Sequence, residues 1–121
     1  MLDHIGIRVS DYERSKRFYG AALAPLGYRL MFEHPISGAG FACAGKLSFW
    51  IKQGTPAPSL HIAFGSEDRA GVGAFHRAAL AAGGRDNGAP GPRPEYHPGY
   101  YGAFVLDPDG HNVEAVCHRA E

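Results

Sequence analysis

The hydrophobic positions of this chain alternate with polar positions in some segments and recur at helical spacing in others. Residues 2–9 alternate, with Ile5 on one face and His4 on the other, and this period of two predicts a strand. From Tyr12 onward, aromatic residues and alanines recur at helical spacing, which predicts a helix that ends near Pro25. The chain therefore begins with a strand followed directly by a helix.

The residues between these two elements form a capping-box pattern, in which Ser10 is expected to cap the helix and Glu13 to reach back to it. Three more strands are predicted after the helix, at 28–33, 41–44 and 47–52. Residues 33–40 contain a proline and two glycines, which predicts a loop. The first half of the chain is thus read as strand, helix and three strands.

The second half of the chain repeats this order. The predicted elements are a strand at 60–65, a helix at 68–82, a strand at 100–106, a tight turn at 107–110 and a closing strand at 112–118. Residues 85–99 contain four prolines, so this segment is predicted to be an edge strand or a long loop. Because long ordered loops are often functional, the segment is also a candidate lid.

An internal repeat accounts for the shared order of elements. At a fixed offset of 57 residues His4 meets His61, and identical residues meet at eight further pairs of positions. In a chain of this length, such a repeat predicts two copies of one supersecondary unit that complete a shared core. We expect an α+β fold in a single domain (1–121), built from two tandem βαβββ modules (1–52 and 60–121) and a stiff linker (53–59).

Composition and charge narrow the classes of partner. The chain has 12 basic and 12 acidic side chains, so no basic field points to nucleic acid or to an anionic membrane. No apolar stretch approaches the roughly 20 residues of a membrane span, and we expect a cytoplasmic protein whose partner is a small-molecule substrate. Cys43 and Cys117 lie in apolar contexts and are predicted to be small core residues.

Two histidines and a glutamate are the candidate metal ligands. His4 and His61 lie in the first strand of each copy, on the face opposite the apolar side chains, and Glu114 is oriented in the same way in the closing strand. Two imidazoles and a carboxylate that converge on one concavity suit Fe, Mn, Ni, Co or Zn and leave positions open for substrate or water. Taken alone, a strand histidine is more often a hydrogen-bonded interior residue.

Aromatic and basic side chains are candidates for substrate contacts and proton transfer. Tyr100 and Tyr101 are adjacent, so one of them should face the cleft, as a proton donor or as an aromatic wall. His97 in the proline-rich segment is a candidate acid or base. Arg8 is a candidate for binding a remote anionic group of the substrate, or else a solvated rim charge, and Trp50 is a candidate wall of the pocket.

Three motifs resemble those of the vicinal oxygen chelate proteins, the superfamily of glyoxalases, bleomycin-resistance proteins and extradiol dioxygenases. They are His4-Ile5-Gly6-Ile7, His61-Ile62-Ala63-Phe64 and the more specific Asp107-Pro108-Asp109-Gly110-His111-Asn112-Val113-Glu114. The resemblance covers nearly the whole chain and implies two βαβββ modules that form a half-barrel cleft. It also implies one divalent transition metal on His4, His61 and Glu114, with ligands from one chain or two, and a homodimer.

One departure from the glyoxalase I pattern lies in the last strand of the first module. Glyoxalase I enzymes have a second glutamate there, whereas this chain has Trp50 or, by another count, Phe49, and neither can bind a metal. The remaining pattern of two histidines and one glutamate resembles extradiol dioxygenases and fosfomycin-inactivating thiol transferases.

Two functions are compatible with the sequence. The first is a metal-dependent enzyme that chelates a small substrate through neighbouring oxygens, as a glyoxalase-like lyase or isomerase, a dioxygenase or a thiol transferase. The alternative is a protein like the bleomycin-resistance members, which sequesters a small molecule without catalysis. In that case Trp50, Tyr100 and Tyr101 would provide the stacking surface.

Overall fold

The chain folds into two open four-stranded sheets, each accompanied by one helix. In the computed structural model, which describes residues 1–119, the elements are β1 (Ile5–Val9), α1 (Tyr12–Leu23), β2 (Tyr28–His34), β3 (Gly38–Cys43), β4 (Lys46–Gln53), β5 (His61–Gly65), α2 (Arg69–Ala81), β6 (Arg85–Pro92), β7 (Tyr101–Leu106) and β8 (Asn112–Cys117). The strand orders are β1-β4-β3-β2 and β5-β8-β7-β6. The predicted α+β fold of two βαβββ modules is confirmed. Within residues 1–119, no helix has both the length and the apolar character needed to cross a membrane.

The first and last strands of each module lie side by side and run parallel. Pairing of β1 with β4 places Gly6 opposite Trp50 and Arg8 opposite Lys52. Pairing of β5 with β8 places Ala63 opposite Glu114. Residues from the two ends of a module therefore meet on neighbouring strands, and this brings the candidate functional groups of each module together.

The first helix is capped one residue later than the sequence predicts. The Asp11 side chain, not Ser10, accepts a hydrogen bond from the backbone N–H of Arg14, at 3.2 Å. The backbone N–H of Ser10 instead donates to the carboxylate of Asp109 in the second module, at 3.2 Å. Asp68, the repeat equivalent of Asp11, caps α2 in the same way. Ser10 lies one residue before the cap and contacts the second module instead.

Residues 33–40, predicted as a loop, and residues 85–99, predicted as an edge strand or a long loop, both contribute to the sheets. β2 and β3 extend into residues 33–40 and leave only a short turn, because Gly38 allows a close approach of the chain. A Cβ atom at Gly38 would lie 2.0 Å from the carbonyl oxygen of Ile51, and the residue has a φ of +92°. Of the two alternatives for residues 85–99, the edge strand is confirmed over Arg85–Pro92.

Both sheets pack their apolar faces into one shared core with the two helices. The Phe49 and Phe64 rings, one from each sheet, meet edge to face with centroids 5.3 Å apart. Phe18 of α1 and Phe75 of α2 are fully buried in the same core. Because the apolar faces point inward, the opposite face of each sheet, which carries the candidate functional side chains, points away from the core.

A buried polar contact joins the two modules at the edge of this core. The Tyr19 hydroxyl donates to the Asp107 carboxylate, and burial followed by that negative charge raises the pKa of Tyr19 well above its ordinary value. The other carboxylate oxygen of Asp107 accepts from the backbone N–H groups of Asp109 and His111, at 2.9 and 2.8 Å. Asp107 thus holds the turn between β7 and β8 against α1.

A Gly84→Ala substitution should destabilise the protein by about 1–3 kcal/mol, because a side chain there would overpack the core. Its Cβ atom would lie 2.5 Å from Val105 Cγ1 and 2.7 Å from Phe18 Cε1. Gly20→Ala is the matched control, since no atom lies within 4 Å of a Cβ built there and alanine favours the helix by about 0.5–1 kcal/mol. Urea denaturation should shift in opposite directions for the two variants, and equal shifts would contradict this packing.

The contribution of Glu33 to stability should depend on pH. Its carboxylate accepts from Lys16 and from the Tyr12 hydroxyl, and these bonds, that of Lys16 first, lower the pKa of Glu33 below its ordinary 4.5. The stabilisation is present above pH 4.5 and is lost as the pH falls through the folded-state pKa. Glu33→Gln should therefore unfold at lower urea than wild type at pH 7, with a smaller gap at pH 3.

The matched control for this pH dependence is Glu67→Gln. This substitution removes a carboxylate that has no hydrogen bond or ion pair among residues 1–119. The midpoint of its urea denaturation should equal that of wild type at both pH 7 and pH 3. A gap for Glu33→Gln that is constant from pH 7 to pH 3 would contradict the assignment.

Candidate functional site

A buried carboxylate with two hydrogen-bond donors lies on the outer face of the second sheet. Glu114 is 2% exposed. Its Oε1 atom lies 2.8 Å from His61 Nε2, and its Oε2 atom accepts from the Tyr100 hydroxyl. A buried carboxylate needs such partners, since its desolvation is costly otherwise. The absence of a side chain at Gly102 leaves room for this pair, because a Cβ atom there would lie 3.3 Å from both Glu114 Oε2 and Tyr100 Cε1.

Two asparagines extend this cluster behind His61. The Asn112 amide nitrogen lies 2.8 Å from His61 Nδ1, and the Asn112 amide oxygen accepts from Asn87 at 3.2 Å. Because the Asn112 nitrogen is a donor, His61 Nδ1 is the acceptor and the Nε2–H group donates to Glu114. The sequence analysis missed both asparagines. The register of β5 against β8, which sets Asn112 opposite His61, is the signal that would have found Asn112.

The adjacent tyrosines face opposite sides of the second sheet, as alternation requires. Tyr100 lies with Glu114, and burial followed by the hydrogen bond to that carboxylate raises the pKa of Tyr100 to about 12. Tyr101 lies on the helix side, where the Arg69 guanidinium is 4.7 Å from its ring centroid. Of the two predicted catalytic tyrosines, the structure brings only Tyr100 to the carboxylate and separates Tyr101 from it.

His97 lies at the rim of this cluster and is bonded away from the carboxylate. Its Nδ1 atom is 2.8 Å from the Pro98 carbonyl oxygen, and its Nε2 atom is 3.0 Å from His118 Nδ1. Its ring contacts that of Tyr100, with centroids 5.1 Å apart. His97 therefore touches the residue that holds Glu114 and makes no hydrogen bond to Glu114 itself.

His4 lies on the outer face of the other sheet. Its Nδ1 atom is 2.8 Å from Asp3 Oδ1, and Asp3 also accepts from Lys46. The Lys46 bond and then the His4 bond lower the pKa of Asp3. This bond leaves the Nε2 atom of His4 available on a half-exposed side chain, the arrangement in which a carboxylate orients a metal-binding histidine.

The three predicted ligands do not meet within one chain. His61 and Glu114 are in contact, but residues 1–119 contain no group of three or more His, Cys, Asp or Glu side chains that could hold a metal ion. Alternation correctly predicts that all three face away from the helices. It does not predict that the two sheets share one core and direct these faces away from each other.

A groove runs along the outer face of the first sheet beside His4. Two adjoining cavities of about 520 and 340 Å³ share Gly6, Ser37 and Trp50 as walls. His4 lines the first cavity, whereas Arg8 and Lys52 line the second. The predicted pocket residues Arg8 and Trp50 therefore line one groove. Phe49, the other residue considered at the missing glutamate position, is buried in the core.

Comparisons with known proteins agree with this architecture. A family model described as the Glyoxalase/Bleomycin resistance protein/Dioxygenase superfamily matches residues 1–115. Among solved structures, a glyoxalase/bleomycin resistance protein from Albidiferax ferrireducens T118 is 27% identical, with a TM-score of 0.79, and the match covers 95% of this chain and 96% of that chain. No curated protein gives a match.

Two further solved structures have the same fold. A glyoxalase I mutant from Zea mays is 25% identical with a TM-score of 0.68, and the match covers 95% of this chain and 46% of that longer chain. A glyoxalase/bleomycin resistance protein/dioxygenase family enzyme from Burkholderia phytofirmans PsJN is 19% identical with a TM-score of 0.73, covering 96% of this chain and 97% of that chain. At that identity the likeness is one of fold alone.

Replacing Asn112 with leucine should change which ring nitrogen of His61 carries the proton. Loss of one hydrogen bond, about 1 kcal/mol, would reduce the preference for the Nε2–H tautomer by about fivefold. The measurement is a long-range proton–nitrogen correlation spectrum of the metal-free protein. His76→Ala, which removes a partly buried histidine of α2 bonded to Asp86, should leave the His61 signals in place. A wild-type ring protonated at Nδ1 would contradict the assigned network.

Proposed function

Because the chain belongs to the glyoxalase/bleomycin resistance protein/dioxygenase superfamily, we propose that it is a metal-dependent enzyme acting on a small substrate that chelates the metal through neighbouring oxygens. The observation that carries this proposal is the contact of buried Glu114 with His61. A carboxylate is rarely placed between apolar strand neighbours without a purpose such as metal binding.

The donor set fits a divalent transition metal. Binding through His61 Nε2 would move the ring proton to Nδ1, where the Asn112 amide would turn its oxygen to accept it. Two imidazoles and one carboxylate suit Fe, Mn, Ni, Co or Zn, and the identity of the metal depends on cellular supply as well as on the ligands. His4 has its Nδ1 atom bonded to Asp3, which orients the ring as in other metal-binding histidines. When bound, the metal would act as a Lewis acid on the chelated substrate oxygens.

A homodimer would complete this donor set. One outer face of the chain carries the His4 imidazole, and the other carries His61 with Glu114. These are complementary parts of one triad that a single chain keeps apart. We propose that His4 of one protomer joins His61 and Glu114 of its partner, so that a twofold dimer contains two equivalent sites.

The residues around the triad have distinct roles in this proposal. The Tyr100 hydroxyl donates to the Glu114 carboxylate and positions it, and the rise of the Tyr100 pKa to about 12 disfavours loss of that proton. His97 packs on the Tyr100 ring and stays a candidate acid or base near the rim. Trp50 and Arg8 are proposed to contact the substrate in the groove.

The class of reaction follows from the missing second glutamate. Neither Trp50, which lines the groove, nor the buried Phe49 can supply that carboxylate, so an isomerisation that depends on a second carboxylate is not proposed. Ring cleavage and epoxide opening by a thiol fit a two-histidine, one-glutamate site.

Cys43 and Cys117 are free, which supports a cytoplasmic location.

A protein that sequesters a small molecule is the second candidate. The half-buried indole of Trp50 is an aromatic wall of the groove, and the exposed ring of Phe32 packs against it with centroids 5.9 Å apart. Such a wall can bind a flat molecule without metal chemistry. A protein that stays free of metal after reconstitution would favour this function.

Complementation between two inactive variants tests the shared triad. His4→Ala and Glu114→Ala should each lose the metal, whereas wild type should hold about one ion per chain. Refolded together in equal amounts, half of the dimers would combine both variants and regain one site. The mixture should then hold about one quarter of an ion per chain by elemental analysis.

His76→Ala is the matched control for loss of a histidine, because His76 is paired with Asp86 away from the triad. It should bind metal like wild type. A mixture of His4→Ala and Glu114→Ala that regains no metal would argue against ligands from two chains. Full metal content in both single variants would overturn the triad.

A further inference from the structure

Two positive side chains lie side by side at the end of the groove away from His4. Arg8 and Lys52 are partners in the register of the parallel strands β1 and β4, on the same face. Both line the same cavity, with Trp50 as a common wall. Both side chains are exposed, and like charges directly opposite each other in a sheet are unfavourable, so an anion bound between them would relieve the repulsion.

Among residues 1–119, no carboxylate lies close enough to pair with either charge. Two carboxylates of the first module are engaged with other lysines, Asp3 with Lys46 and Glu33 with Lys16. Neither Arg8 nor Lys52 donates a hydrogen bond to another described side chain or carbonyl group. The compensating group is therefore sought outside the described chain.

Gly54, which directly follows β4, provides the space in which the stem of the Arg8 side chain lies. A Cβ atom at Gly54 would lie 2.8 Å from Arg8 Cδ and 3.2 Å from Arg8 Cγ. The Gly54 N–H group also donates to the Val9 carbonyl oxygen at 3.0 Å, which fixes this segment against β1. The stem of Arg8 thus packs on a glycine whose own position is set by the sheet, and this contact directs the stem along the end of the strand.

A second glycine fixes the aromatic wall next to the charges. A Cβ atom at Gly40 would lie 2.9 Å from two ring carbons of Trp50, so the indole occupies the space of the missing side chain. Phe32 packs against it at an interplanar angle of 70°. The indole is held in one orientation, with Gly6 opposite it on β1 leaving the groove beside it open.

We propose that this groove binds a planar aromatic carboxylate, with its ring on the Trp50 indole and its carboxylate between Arg8 and Lys52. A guanidinium and an ammonium at adjacent positions bind a carboxylate by charge-assisted hydrogen bonds, and an indole stacks on a flat ring. This assigns Lys52 a role that the sequence analysis missed.

The position of His4 at the other end of the groove indicates the length of the substrate and the groups at its two ends. This inference rests on the proposed function. His4 and Arg8 are four residues apart on one face, about 13 Å at the rise of a strand. The substrate would carry its carboxylate at one end and its metal-chelating oxygens at the other, with an aromatic ring between them.

The test is a titration of metal-free protein with 2-naphthoate and with its neutral isostere 2-naphthamide. Trp50 is the only tryptophan, so the single indole N–H signal in a proton–nitrogen spectrum reports on the groove. Naphthoate should shift this signal and bind at least about tenfold more tightly than naphthamide, because hydrogen bonds to charged groups are the stronger ones. Chelator is present throughout, so the result does not depend on the metal site.

Three variants separate the contributions of Arg8 and Lys52 to carboxylate binding from a general effect of charge. Arg8→Met and Lys52→Met should each weaken naphthoate binding by about tenfold while leaving naphthamide binding unchanged. Arg14→Met removes a positive charge from the exposed face of α1 and should leave both affinities unchanged. The remainder of each spectrum shows whether the variant is folded.

Equal affinity for naphthoate and naphthamide would overturn the proposal. So would an equal loss of naphthoate binding in Arg14→Met, which would indicate a general charge effect, or an indole signal that does not move. If naphthoate binds as expected but the protein fails to take up metal in the separate reconstitution, the groove is upheld and only the metal-dependent function is rejected.

Discussion

The packing of both sheets and both helices into one core determines where every functional side chain of this protein lies. The Phe49–Phe64 contact brings the two sheets together through their apolar faces. The bond from Tyr19 to Asp107 then locks the turn that leads into the strand of Glu114. Once the apolar faces are buried together, the polar faces can only point outward, on separate sides of the chain.

This arrangement explains why the chain carries two incomplete sets of functional groups. The face of the second sheet has a continuous hydrogen-bond network that runs from Asn87 through Asn112, His61 and Glu114 to Tyr100. The face of the first sheet has one oriented histidine and an open groove. The first holds a carboxylate in place, and the second contains the groove that we propose as a ligand site. In the proposed dimer, a second copy of the chain would bring the two together.

Glycines are as important to this division as the charged residues. Gly102 leaves room for Glu114 and Tyr100, and Gly40 and Gly54 let Trp50 and Arg8 lie close to the backbone. In each case a missing side chain sets the position of a functional one. Sequence patterns based on hydrophobicity assign such glycines to loops, as they did for residues 33–40, although here they lie within or beside strands.

The sequence by itself determined the two βαβββ modules, the direction in which His4, His61 and Glu114 face, and the family. It could do so because strand alternation is a local property and the 57-residue repeat is visible in the order of residues without knowledge of their contacts. Only the tertiary structure decided that Asp11 caps α1 and that Tyr100 rather than Tyr101 reaches the carboxylate. It also decided that Lys52 joins Arg8 and that His4 stays apart from His61. These outcomes depend on strand register and on the packing of one sheet against the other, which involve residues far apart in the chain.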